Sequence, residues 1–399
     1  MTTISTLNLH SITTGAALNL ETQLGQVQIQ QSSGLVAQNF GTLGGSATSE
    51  MLNLQDNISQ AQTWASEAQT VGSRTQSMYS MIGNMVTTVT SLQSQISQAM
   101  ASPNNSGLLG VVQNLQKSLV SQMNTQYAGR YLFSGSDIGT APVDMSNYPT
   151  VSASGAYDPS SVDTSYYTGD SNVLSVQVAS QQTLSYGVPG NSPAFEQAMR
   201  AVEAVVQASS VTTGSSATAS TASGASTLAG GTLVINGTTV TVAANESFSD
   251  VAAAINSQLS SSGVTARVVP DNSGNYHVQI SGGNAALNIT DSSGLGVSSA
   301  SPLTQSQLNS QLSQALDLAN QAVTGLSNLQ ASVAAVSKQL NDAQQQQTTY
   351  VTFLQNSLSN VKDADTAQVA AQVQALQTQL QASYMAVASV SKINLAQYL

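Results

Sequence analysis

Asp363 and Asp365 are spaced like a catalytic or metal-binding carboxylate pair. A bound cation would need further oxygen or nitrogen ligands, and only Asn356 and Asn360 stand nearby in sequence. A helix start, where acidic side chains meet the amide dipoles, is the plainer reading. Asp271, Ser273 and Asn275 imitate the first positions of a calcium loop, but Gly274 is misplaced and no Glu occupies the twelfth position, so a polar hairpin turn is expected. The two histidines are far apart. His277 alternates with Tyr276 and Val278 in an expected strand, where it should face solvent, and His10 falls in a segment expected to be disordered in the free chain. Gly41, Gly44 and Gly45 lack the Lys-Ser/Thr pair and the preceding strand of a phosphate loop and read as a bend. Trp64, Met78, Met81 and Met85 have helical spacing and read as core. With no cysteine for thiolate chemistry, neither catalysis, a cofactor nor a metal is expected.

The elements that must position these residues are low in charge. The 399 residues include 8 Lys+Arg and 19 Asp+Glu, 7% charged against roughly 25% in an ordinary domain. Ser, Thr, Gln and Asn replace the missing charge, and mean hydropathy is −0.01. Net charge −11 and scattered basic residues argue against nucleic acid. No apolar run approaches the ~20 residues of a membrane span, so no membrane insertion is expected. The first residues do not follow the pattern of a cleaved secretory signal.

A helix is expected from about 46 to 100. Within it Met78, Ile82, Met85, Val89, Leu92, Ile96 and Ala99 step alternately by four and three, the spacing of a coiled-coil seam. Breakers at 102–107 end it, and a second helix covers about 108–126. Near the other end Val369, Val373, Leu376, Leu380, Ser383, Val387 and Val390 repeat the rhythm, after a helical stretch over 305–358. The simplest burial for both seams is against each other.

Between the ends, Gly, Ser, Tyr and Pro dominate 131–186, which reads as hairpins and loops, followed by a short helix over 193–207. Residues 209–227 are low-complexity and read as a flexible linker. A compact α+β module follows: strands flank Asn236-Gly237, Ser247 opens a helix over 251–259, and a second hairpin joins 264–269 to 276–280. The expected fold is mainly α: a long coiled-coil bundle built from both chain ends, with an inserted α+β part and a β-rich middle. Its expected parts are a terminal assembly segment 1–45, rod helices 46–130, hairpins 131–208, linker 209–227, module 228–300, rod helices 301–365 and a terminal helix 366–399.

Several segments, in order, resemble one family. Asn124-Thr125-Gln126-Tyr127-Ala128-Gly129-Arg130-Tyr131-Leu132-Phe133-Ser134-Gly135 resembles the segment after the N-terminal helices of the bacterial flagellin and hook-associated protein 3 family. Ser32-Ser33-Gly34 is similar to its N-terminal SSG element, and Asp363-Ala364-Asp365-Thr366-Ala367 to its D-A-D-x-A element. Residues 166–170, 187–195 and the ending Ile393-Asn394-Leu395-Ala396-Gln397-Tyr398-Leu399 resemble the hook-associated branch more than filament flagellin. The module resembles a repeat inserted in this family. Two departures stand out: Gln31 replaces the Arg before SSG, and Gly44-Gly45-Ser46-Ala47 replaces the acidic element expected after it.

The resemblance implies a structural subunit of the extracellular flagellum, at the hook–filament junction, with filament flagellin as the near alternative and an adhesin as the distant one. It implies self-assembly in a helical array, hook-associated protein 1 and flagellin as axial neighbours, an export chaperone, and type III export without a cleaved signal. The expected packing residues between subunits are Leu7, Leu18, Leu24 and Ile29 at one end, and Val373, Leu376, Leu380, Val387, Val390, Leu395 and Leu399 at the other.

Overall fold

The computed structural model describes residues 3–37, 44–102, 105, 107–153 and 155–396. Helices α1 (Thr3–Ser33), α2 (Gly45–Ala101) and α3 (Leu108–Met123) come first. A tight hairpin, β1 (Gln126–Tyr127) and β2 (Arg130–Tyr131), and a second, β3 (Ser175–Ala179) and β4 (Gln182–Ser185), lead to α4 (Pro193–Ser209). Then follow β5 (Thr212–Gly214), β6 (Gly231–Ile235), β7 (Thr238–Val242), α5 (Phe248–Leu259), β8 (Thr265–Pro270), β9 (Tyr276–Ser281) and β10 (Ile289–Asp291). Helices α6 (Gln305–Lys362) and α7 (Thr366–Ala396) close the chain. Residues 67–342 form one compact unit, and 1–66 with 343–399 form another. None of the described helices is long and apolar enough to cross a membrane.

In the unit 67–342, α2 and α6 run antiparallel: Gln93 Nε2 donates to Asn320 Oδ1 at 2.8 Å and, further along, Gln330 Nε2 donates to the Tyr79 carbonyl at 3.3 Å. The whole seam from Met78 to Ala99 is buried. It meets Val112 and Leu119 of α3, Phe195, Met199 and Val202 of α4, and Leu312, Ala315, Ala319, Ala322 and Leu326 of α6 in one core. The α6 residues step by three and four as their partners do, which is what antiparallel knobs-into-holes packing requires. Outer faces stay polar without charge because hydroxyls bond back along the helix, as Thr90 Oγ1 and Ser91 Oγ do to the Val86 and Thr87 carbonyls at 2.8 and 2.9 Å.

The module has its own core. Its sheets run β10-β6-β7 and β5-β9-β8, all antiparallel. Asn236 and Gly237, both at positive φ (49° and 86°), make the two-residue turn between β6 and β7. Ser247 Oγ accepts the Asp250 N–H at 3.1 Å and caps α5.

Three expectations are corrected here. Residues 209–227 are not a free linker: Thr212–Gly214 is a strand paired with β9, and Ala219 exchanges backbone hydrogen bonds with Tyr276 at 3.1 and 2.8 Å. Backbone ladders do not depend on side-chain complexity, and small side chains allow the close approach seen where Gly214 lies against Gly155. His277 is fully buried, with Nδ1 at 2.8 Å from the Ser215 carbonyl and Nε2 at 3.3 Å from Asp271 Oδ2. Trp64 and Met81 are half-buried, whereas Met78 and Met85 are core. Asp271 does shape a polar turn, its Oδ1 accepting the Ser273 and Asn275 N–H groups at 2.8 Å each.

The His277 contacts give a test. His277→Ala removes a buried ring lodged between the Ser215 carbonyl and Asp271 Oδ2, and urea unfolding is expected to show a loss of about 1–3 kcal/mol. A neutral result would mean that water replaces the ring at no cost.

Candidate assembly interface

In the unit formed by the chain ends, α1 and α7 approach to within 8 Å between Cα atoms. On α1 the inward residues are Ala17, buried, and Leu20, Leu24 and Val27, half-buried, again stepping by three and four. On α7 they are Val369, Val373 and Val390, buried, and Leu376, Leu380, Ser383 and Val387, half-buried.

The two chain ends are folded together by a joint at residues 32–36 and 362–368. Gly34, at φ 71°, ends α1, its N–H bonding the Gln30 carbonyl at 2.8 Å. Its own carbonyl accepts the Ala364 N–H at 2.9 Å, while Val36 N–H donates to the Lys362 carbonyl at 2.9 Å. Ser33 Oγ accepts the Leu35 N–H at 3.3 Å, and Ser32 Oγ donates back to the Ile29 carbonyl at 3.1 Å. Across the joint, Ser359 Oγ donates to the Asp363 carboxylate at the end of α6. Asp365 Oδ1 accepts the Ala367 and Gln368 N–H groups at 2.9 and 3.2 Å, which caps α7. Ser32, Ser33, Gly34, Asp363 and Asp365 thus form one backbone junction. Its carboxylates are occupied with helix ends, and no group of three His, Cys, Asp or Glu that could hold a metal occurs among the described residues.

The residues expected to pack between subunits fall on two sides. Leu24, Val373, Leu376, Leu380, Val387 and Val390 point into the α1–α7 pair, whereas Leu18 (58% exposed) and Ile29 (46%) stand on the outward side. The side chains of Leu7 and Leu395, and all of Leu399, lie outside the described residues. Sequence reasoning missed the inward Ala17, Leu20 and Val27 and the exposed Leu9 and Ile12. The 17, 20, 24, 27 spacing carried the inward signal. On α7, Tyr384 and Met385 are also exposed, and the Tyr384 hydroxyl donates to Glu21, which pushes its pKa up. His10 lies half-buried in α1. Among its described residues α1 thus carries large apolar side chains both in the seam with α7 and on the exposed side.

The remaining family-like segments converge in the unit 67–342. Asn124 caps α3 and holds Val143 by both its amide atoms, each at 2.9 Å. Gln126 and Tyr127 pair with Tyr131 and Arg130 across Ala128-Gly129, both at positive φ. Phe133 is fully buried, edge-on to Phe195 at 5.2 Å, and its carbonyl accepts the Gly190 N–H at 2.7 Å and the Tyr167 hydroxyl at 3.1 Å. Tyr166 reaches the Gly190 carbonyl at 2.9 Å. Gly135, at φ 72°, lies directly against Asp170. Segments 124–135, 166–170 and 187–195 therefore knot one another; their chemistry is structural.

Asp170 supplies a pH test. Hydrogen bonds from the Ser136 hydroxyl and N–H, then from Asn172 N–H, hold its pKa down to about 2. Its unfolded value is about 3.9. A depressed carboxylate stabilises fully above the unfolded pKa and loses that contribution as pH falls from about 4 to about 2. The melting temperature is expected to drop across that window, and Asp170→Ala to lower it at neutral pH and flatten the drop. An unchanged acid profile would contradict this role.

Comparison with known proteins supplies the context. The bacterial flagellin C-terminal helical region matches residues 316–399, and the flagellin hook IN motif matches 227–299. No curated protein matches over the sequence. Among solved structures, the chain is similar to a flagellar hook-associated protein 3 from Legionella pneumophila, with 15% identity, 77% of this chain and 98% of that one covered, and a TM-score of 0.42. A flagellar hook-associated protein described as such from Vibrio parahaemolyticus gives 14%, 79%, 98% and 0.43. The flagellar junction protein FlgL from Legionella pneumophila gives 14%, 78%, 99% and 0.39. These superpositions are loose, and the weight rests on the two sequence regions. The chain therefore closes on a flagellin C-terminal helical region and carries a flagellin hook IN motif in its middle.

Proposed function

We propose that the protein is the hook–filament junction subunit, assembling with copies of itself through its terminal helices. The observation that carries self-assembly is the row of apolar side chains, Ile12, Leu18 and Ile29, on the outward half of α1, opposite a seam that α7 already fills. Burial of such a row against an identical neighbour contributes about 25 cal/mol per Å² of apolar surface. Head-to-tail contacts of this kind generate an open helical array. The inward Leu24, Val373, Leu376, Leu380, Val387 and Val390 act indirectly, by holding α1 and α7 as one surface.

The junction, as opposed to the filament, is supported by the ending Ile393–Leu399 and by segments 166–170 and 187–195, all closer to the hook-associated branch. This position makes hook-associated protein 1 and flagellin its axial neighbours. The chain reaches it by type III export without a cleaved signal, escorted by a chaperone. Immunogold labelling of intact flagella tests the assignment. One band at the distal end of the hook is the expected result; label along the filament makes it a flagellin, and label on the cell body makes it an adhesin.

A further inference from the structure

The inserted module meets the helical body through polar contacts, and one residue organises them. Arg267 of β8 is the only Lys or Arg between Ala201 and Ser337. Its Nη2 donates to Glu203 Oε1 of α4 at 3.4 Å, its Nη1 to the Tyr148 carbonyl at 3.4 Å, and its Nε to Gln279 Oε1 at 2.9 Å. Gln279 Nε2 in turn reaches Gln207 Oε1 of α4 at 3.5 Å. Glu203 is fully buried and accepts Gln116 Nε2 and Gln207 Nε2, each at 2.7 Å, so the body prepares a carboxylate whose only cationic partner among the described residues comes from the module.

Around this node the packing is open. The hydrophobic cores of body and module are separate clusters. Cavities of about 600 and 660 Å³ flank the contact and share Gln207, Ser210, Thr212 and Gln279 in their walls, and a third of about 320 Å³ sits beside Ser210, Val211, Pro302 and Leu303. Those last residues lie in the two chain connections, 210–211 and 301–304, that tie the module to α4 and α6. Apart from the node, the bond from Val151 N–H to the Pro270 carbonyl at 2.9 Å and the approach of Gly155 to Gly214 complete the docking. Two short connections on one side, polar contacts and unfilled gaps are the conditions under which one body swings against another.

We propose that the module is a hinged body, latched to the helical part by the Arg267 guanidinium on the Glu203 carboxylate. Releasing the latch lets the module turn about Ser210 and residues 301–302, since Val211 is bonded to Gly282 and Gly283 of the module and Leu303 packs on the body, while both cores stay folded. The module can thereby meet neighbouring surfaces at different angles without disturbing the helices.

The chain has no cysteine, so Gln98→Cys on α2 and Ser261→Cys beside α5, both exposed, can carry the only two spin labels. Electron–electron double resonance on the full chain should give one narrow distance distribution. Adding Arg267→Gln should at least double its width, with Arg267→Lys in between, while amide exchange at Val240 and Ile255 stays as slow as before. An unchanged distribution in Arg267→Gln would overturn the latch. Fast exchange at Val240 and Ile255 would overturn it too, because Arg267 would then be building the module, not docking it.

Discussion

A chain carrying Ile12→Ser, Leu18→Ser and Ile29→Ser together is expected to be exported at the normal level and to be missing from sheared flagella. The three side chains are 62%, 58% and 46% exposed, so each has about half its surface left to bury. Half of a full Leu or Ile burial is about 1 kcal/mol, and the triple change weakens each contact between subunits roughly a hundredfold. The α1–α7 seam is untouched, because Ala17, Leu20, Leu24 and Val27 keep their places. Immunoblots of the appendage fraction and the medium should show the variant only in the medium. Substitution of inward Val373 by Ala should differ in kind, loosening the pair itself.

The second large effect lies at the knot of family-like segments. Gly135→Ala would put a methyl 2.2 Å from the Asp170 carbonyl oxygen at a backbone φ of 72°, so both the close contact and the left-handed conformation oppose it. Relief requires moving Asp170, whose N–H bonds the Ser134 carbonyl at 3.1 Å and whose carboxylate holds Ser136. Strain and broken bonds together are expected to cost about 3 kcal/mol or more. For a unit of this size the melting temperature should fall by about 6 °C or more. Gly139→Ala is the control, since its methyl would meet nothing within 4 Å. Equal melting temperatures for the two variants would contradict the role assigned to Gly135.

What could be read in advance followed the physics of each signal. The α2 and α7 seams were visible because an alternating three–four spacing of apolar residues needs no charge to define it. On α1 no seam was read: the large residues Leu7, Leu18, Leu24 and Ile29 were expected to pack between subunits, and the buried Ala17 was passed over. A helix with apolar residues on both sides has no single stripe to point inward, and close packing favours the small one. Low complexity at 209–227 described side chains, whereas β5 is held by backbone pairing that composition does not report. Glu196, Arg200, Glu203 and Gln207 of α4 form a polar stripe that would ordinarily face water. Here Arg200 and Glu196 pair at 2.8 Å beneath the loop carrying Asp163, whose N–H bonds Glu196 at 3.0 Å. Covering a polar stripe with a loop is a tertiary event without a local pattern. Asp365 was readable as a helix-start residue because the amide-rich start of a helix asks for a carboxylate, whereas Asp363, expected at the same helix start, follows the C-terminal end of α6 and accepts the Ser359 hydroxyl.

Leu18→Cys provides the most direct measurement of whether the outward side of α1 is where subunits meet. In a chain without other cysteines its thiol is the only maleimide target, and labelling can be compared between the purified monomer and intact flagella. Rapid labelling of the monomer and at least tenfold slower labelling in the appendage is the predicted result. Equal rates in both would mean that this face remains open to solvent after assembly, and would contradict it.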